Sequence, residues 1–175
     1  MSRKIIIFDT SVLCCWLKVP GKDTCGPKRD LWDFDRIDKK IQKELNRKST
    51  FVLPLATIIE TGNHIAQTRA DRYNIAESLA DLIRKAATET EPWAAFAQQS
   101  LLWKDKKLQE LADNWPTLAQ QGLGIGDATI KDVADYYATA HFEVEILTGD
   151  QGLKAYQPSA PLLQPRRRKS QPPRT

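Results

Sequence analysis

The chain opens on a short apolar run, Ile5-Ile6-Ile7-Phe8, that stops at an acid, Asp9. A run this short with no helical period predicts a buried strand over residues 4–8. A short helix or turn over 11–17 leads into Pro20-Gly21 and a loop. From Asp30 to Arg47 the apolar positions Leu31, Phe34, Ile37, Ile41 and Leu45 recur every three or four residues, which predicts an amphipathic helix with a charged outer face. Phe51 to Leu55 reads as a second strand with Pro54 near its end, where a missing N–H is tolerated. A helix follows from Ala56 or Thr57. The same periodicity predicts a helix over 73–87, through Ile75, Leu79, Leu82 and Ile83, and further helical stretches over 92–103 and 107–120. Gly122, Gly124 and Gly126 form a turn before a helix that begins at Asp127 and runs through Ile130, Val133, Ala134 and Tyr137. A last strand is expected over 143–148, with an edge strand over 160–164. Strands alternating with helices predict an α/β fold, a three-layer α/β/α domain with a mainly parallel central sheet and a helical middle segment.

At 175 residues the chain is long enough for one domain with a proper core. Hydrophobic residues at 41% and charged residues at 27% exclude a fibrous or wholly disordered chain. No apolar stretch approaches the roughly 20 residues needed to span a membrane. The opening apolar run is too short for a signal peptide and is interrupted by Asp9, so it reads as the first strand of a cytoplasmic protein. The formal charge of +4 changes meaning once located: Arg166, Arg167, Arg168, Lys169 and Arg174 fall in the last ten residues. Without those five, 21 basic residues face 22 acidic ones, so the body carries about −1. The reading is therefore a domain over 1–164 and a basic, Pro-rich tail over 165–175. That tail is either a salt-sensitive grip on phosphates or a solubilising terminus.

Cys14, Cys15 and Cys25 are odd in number and lack paired ligand spacing, which argues for reduced thiols rather than a disulfide framework or zinc ribbon. His64 and His141 are the only histidines. A His/Cys zinc site therefore has no basis, and His64 reads as a structural or surface residue on the helix that carries Glu60. The turn Gly122-x-Gly124-x-Gly126 follows no strand, so it is not a dinucleotide-binding loop.

Asp9, Glu60, Asp127 and Asp150 sit at strand ends or helix starts. In an open parallel sheet the ligand crevice lies outside the carboxyl ends of the strands, so these acids should meet there. Each alone has a purely structural explanation: Asp9, Asp127 and Asp150 as helix caps, Glu60 as a hydrogen-bonded or solvated helix residue. Together they suggest a site for a hard cation, and oxygen-only ligands suit Mg²⁺ or Mn²⁺.

Four segments carry a resemblance: Ile6-Ile7-Phe8-Asp9-Thr10-Ser11-Val12-Leu13, Leu53-Pro54-Leu55-Ala56-Thr57-Ile58-Ile59-Glu60, Gly126-Asp127-Ala128-Thr129-Ile130 and Leu147-Thr148-Gly149-Asp150-Gln151-Gly152-Leu153. In order and chemistry this set resembles the PIN-domain nucleases, particularly the VapC-like toxin ribonucleases. The resemblance implies a metal-dependent endoribonuclease with Asp9, Glu60, Asp127 and Asp150 as the ligand set, Asp9 and Asp127 binding directly. It further implies that Thr10, Ser11 and Thr148 orient the carboxylates or water. RNA would be the substrate, single-stranded or looped so that its bases are accessible, and a cognate antitoxin and a homodimer are the implied protein partners. The helical middle is longer than the compact toxins need.

Two other readings compete. A haloacid-dehalogenase-like phosphatase would need a second aspartate where this chain has Ser11. A catalytically silent RNA-binding or partner-binding module would need none of the four acids. Lys131, Lys154 and residues 166–169 are candidate phosphate contacts. Trp93, Phe96, Trp103 and Trp115 read as core, with a base-stacking surface as the alternative.

Overall fold

The computed structural model describes residues 4–94 and 99–160. Along them run β1 (Lys4–Phe8), α1 (Thr10–Trp16), a hairpin of β2 (Thr24–Cys25) and β3 (Trp32–Asp33), α2 (Phe34–Asn46), β4 (Thr50–Val52), α3 (Leu55–Gln67) and α4 (Arg72–Ala87). Then come a 3-10 turn (Ser100–Trp103), α5 (Asp105–Gln120), α6 (Ile125–Thr139), β5 (Glu143–Leu147) and α7 (Gln151–Lys154). The main sheet has the order β4-β1-β5. Both pairings are parallel, with Ile7 opposite Val52 on one side and Ile146 on the other.

Parallel strands buried on both faces are expected to be continuously apolar, and β1 is: Ile5, Ile6, Ile7 and Phe8 are all at most 2% exposed. Alternate side chains feed two cores. Ile6 and Phe8 pack with Val12, Leu13, Ile37, Ile65, Leu79 and Leu82 from α1 to α4. Ile5 and Ile7 pack with Ile130, Val133, Ala134 and Tyr137 of α6. Helices therefore cover both faces of the sheet, and truncating a centre residue such as Ile7 to Ala should cost about 2–5 kcal/mol. With all three strands parallel, their carboxyl ends share one rim. No helix among the described residues is long and apolar enough to cross a membrane.

An ionic cluster braces α2 against the sheet. The side chain of Glu44 is 1% exposed and receives Lys40 at 2.9 Å and Lys4 at 3.4 Å. Ser49 donates to its other oxygen at 2.8 Å. Lys4 and Lys40 also meet Glu145 of β5, at 2.6 and 2.8 Å.

The structure corrects several sequence expectations. The helix expected from Asp30 starts at Phe34, because Asp33 accepts the Arg36 N–H at 2.9 Å as its N-cap. Residues 24–33 form the hairpin instead, and Leu31 is 46% exposed rather than part of the buried stripe. The second strand covers 50–52, not 51–55, since Pro54 is the N-cap of α3 and Leu55 already belongs to the helix. The helix expected from Pro92 does not begin there: Phe51 N–H donates to Pro92 O and Ala94 N–H to Phe51 O, both at 2.8 Å, while residues 95–98 lie outside the described residues and Ser100–Trp103 is a 3-10 turn. The two bonds make a parallel rung beside β4, where Trp93 packs on Phe8 and Phe51 at centroid distances of 5.4 and 5.6 Å. Phe96, residues 161–164 of the expected edge strand and the tail 165–175 lie outside the described residues.

Candidate metal centre

Asp9 follows β1 directly and caps α1. It is 4% exposed, so its carboxylate needs hydrogen-bond donors. Ser11 Oγ donates to Oδ2 at 2.6 Å, Thr148 Oγ1 at 2.7 Å and Ser11 N–H at 3.3 Å. All three converge on one oxygen, and Oδ1 lies outside these bonds.

The same two hydroxyls tie β5 to β1. Thr148 Oγ1 accepts the Asp150 N–H at 2.9 Å, and Ser11 Oγ accepts the Gly149 N–H at 3.1 Å. Asp150 caps α7 through Oδ1, which accepts Gly152 N–H at 2.6 Å and Leu153 N–H at 3.3 Å, while Oδ2 lies outside those bonds. Asp150 is exposed. Capping and metal binding are therefore compatible in both aspartates, because each cap uses one oxygen.

Glu60 comes from the second turn of α3 and is half-buried, with Thr10 Oγ1 donating to its Oε2 at 2.9 Å. Gly126 in the first turn of α6 makes room for it: a Cβ there would overlap Oε1 of Glu60. That glycine reads from the sequence only as part of a turn.

Asp127 is not the cap of its helix. Gly124 holds that position without a side-chain bond, and Asp127 lies inside the first turn. Burial pushes the Asp127 carboxyl up to about 6, and the charges of Asp9, Asp150 and Glu60 act in the same direction, against a lowering backbone hydrogen bond from Gly124. All four acids thus share one electrostatic environment. They are not closed into a coordination shell: among the described residues no group of three or more His, Cys, Asp or Glu stands ready to hold an ion. The donor set still fits a small hard cation, since Mg²⁺ commonly takes only one or two carboxylates and keeps its remaining waters.

Other candidates are engaged elsewhere. Lys131 pairs with Asp135 at 2.7 Å, and Lys154 Nζ donates to Ile146 O and Gln157 Oε1, both at 2.9 Å. The three cysteines are free thiols. Trp93 is core as expected, Trp115 is half-buried with its indole N–H on Leu123 O at 3.2 Å, and Trp103, expected in the core, is 40% exposed.

Comparison with protein-family models, with curated proteins and with solved structures gave no match to this chain, so the case for its activity rests on the site itself.

Proposed function

We propose that this chain is a divalent-metal-dependent endoribonuclease with a PIN-like fold, hydrolysing RNA phosphodiester bonds at the carboxylate site with Mg²⁺ or Mn²⁺ as cofactor. One observation carries the reading: Asp127 is held up at about 6 by burial and by Asp9, Asp150 and Glu60 together. Two helix caps, Asp9 and Asp150, and two residues inside helices, Glu60 and Asp127, would have no reason to share an environment if each were placed independently. A perturbed acid within a cluster of acids at the carboxyl ends of a parallel sheet is an expected signature of a functional site.

Oδ1 of Asp9, Oδ2 of Asp150 and the Asp127 carboxylate are the oxygens that would hold the cation, with Glu60 adding charge from α3. A bound divalent ion would supply charge for the scissile phosphate, a more acidic water and stabilisation of the leaving oxygen. The chain's own work is positional. Ser11 and Thr148 fix the rotation of Asp9, Thr10 fixes Glu60, and Gly126 lets Glu60 approach the start of α6. Asp127, which burial and then the charges of its acidic neighbours hold up at about 6, would ionise more readily with a cation neutralising the cluster. From the four-segment resemblance we further infer a toxin of a toxin–antitoxin pair, with a small antitoxin and a second copy of the chain as partners.

The test is cleavage of purified total RNA with Mg²⁺, Mn²⁺ or EDTA, comparing wild type with an Asp9→Asn, Asp127→Asn double variant prepared identically. Metal-dependent cutting by wild type alone is the expected result. RNA binding without cutting under any metal condition would favour the silent-module reading instead.

A further inference from the structure

A cluster of acids repels the polyanion it is meant to cut, so cations must lie beside it to hold the strand. Lys131 and Lys154 are tied into local bonds. The hairpin formed by β2 and β3 offers the alternative. Its turn, Pro27-Lys28-Arg29-Asp30, carries Lys28 and Arg29 on a 3-10 turn, both exposed, and among the described residues neither forms an ion pair.

This hairpin is seated directly on the site. Gly26 and Gly149 approach so closely that a Cβ on Gly149 would lie 2.7 Å from Gly26 N and 2.8 Å from Cys25 Sγ. Gly149 is the residue between Thr148 and Asp150. Gly26 itself has φ +89°, a conformation glycine adopts without strain, and its Cβ position is filled by Asp30 O. The base of the hairpin is braced in turn: Arg36 donates to Leu31 O and Asp30 Oδ1, each at 2.7 Å, and lies 3.9 Å above the Trp32 ring. Asp30, the one acid of the turn, is thus paired with Arg36, and the exposed Lys28 and Arg29 follow directly on the Gly26 contact with the Asp150 loop.

We propose that Lys28 and Arg29 are positioning residues that hold the phosphates of a single-stranded RNA flanking the scissile bond, with the hairpin as the arm that presents them. The inference rests on the ribonuclease reading and adds how the substrate is gripped.

The test uses the full chain and a fluorescein-labelled 20-nucleotide RNA of mixed sequence in EDTA, titrated across salt concentrations. Wild type is compared with Lys28→Ala, Arg29→Ala and with a control pair, Arg47→Ala, Lys48→Ala, in the loop at the opposite end of the sheet. Each single-strand phosphate contact contributes about 0.7 to the slope of log K against log salt, so losing two should flatten it by about 1.4. Carried over one decade from 1 M, that slope difference is about a 25-fold weaker affinity at 0.1 M salt. The control pair should keep the wild-type slope. In Mg²⁺ or Mn²⁺, hydrolysis of bis(p-nitrophenyl) phosphate, too short to reach the arm, should be unchanged in the hairpin variant while KM for the RNA rises.

A wild-type slope in the hairpin variant would overturn the proposal and leave the nuclease reading standing. Loss of small-substrate turnover would also overturn it, because the hairpin would then act by supporting the Asp150 loop. Absence of RNA binding by wild type in EDTA would overturn this inference, and absence of RNA cleavage in Mg²⁺ and Mn²⁺ as well would remove the ribonuclease reading with it.

Discussion

Gly126 and Glu60 occupy adjoining space so tightly that a β-carbon on the glycine would lie only 2.1 Å from Oε1 of the glutamate. The obstructing atom is the end of a flexible side chain, so Glu60 would swing away rather than force the backbone apart. At a helical position, Gly→Ala also favours the folded state by up to about 1 kcal/mol. Gly126→Ala should therefore keep or raise Tm while lowering metal-dependent cleavage. A variant with unchanged cleavage would show that the position of Glu60 does not matter.

Thr148 links two strands through one hydroxyl, donating to Asp9 and accepting from the Asp150 backbone. Thr148→Val preserves shape and deletes both bonds. The unpaired groups should cost about 1–3 kcal/mol in urea unfolding. Loss of such an orienting contact should lower metal affinity or activity by roughly 10–100-fold. A loss of stability with normal Mg²⁺ dependence would reduce Thr148 to a structural staple.

Asp127 carries the pH argument for the site. Its folded pKa of about 6 lies above the ordinary 3.8, so ionising it opposes folding. That cost is absent below pH 3.8 and complete above pH 6. Asp127→Asn should abolish cleavage yet raise Tm at pH 7.5, with the gain fading as pH falls from 6 towards 4. Saturating Mg²⁺, at about 100 times its Kd, should stabilise wild type by about 2.7 kcal/mol and the variant by less. Equal Mg²⁺ shifts in both would mean that the ion binds elsewhere.

Glu44 supplies the opposite case. Burial opposes its ionisation, but hydrogen bonds from Lys40 and Ser49 and the charges of Lys40 and Lys4 outweigh that and hold its pKa down at about 2. A depressed acid stabilises the fold above its unfolded value, near 4.5, and that stability drains as pH falls from 4.5 towards 2. Glu44→Gln should cost roughly 1.5–3 kcal/mol at pH 7 and much less at pH 2.5. An identical penalty at both pH values would show that packing, not charge, is what the residue contributes.

The sequence by itself determined the elements whose signals are local. The apolar run of β1, the start of α4 and the end of α2 to within one residue, and the placing of Asp9 at a strand end and Asp150 at a helix start all follow from periodicity and capping within a few residues. It determined the α/β class for the same reason. Only the tertiary structure decided which hydroxyl holds which acid. Thr148 reaches Asp9 across 139 positions and Thr10 reaches Glu60 across 50, partnerships that no local pattern encodes. It also turned residues 24–33 into a hairpin seated on Gly149, and residues 92–94 into a rung beside Phe51. At residues 30–33 and 92–94 helical spacing was outweighed by backbone hydrogen bonds and close packing available only once distant parts of the chain had met.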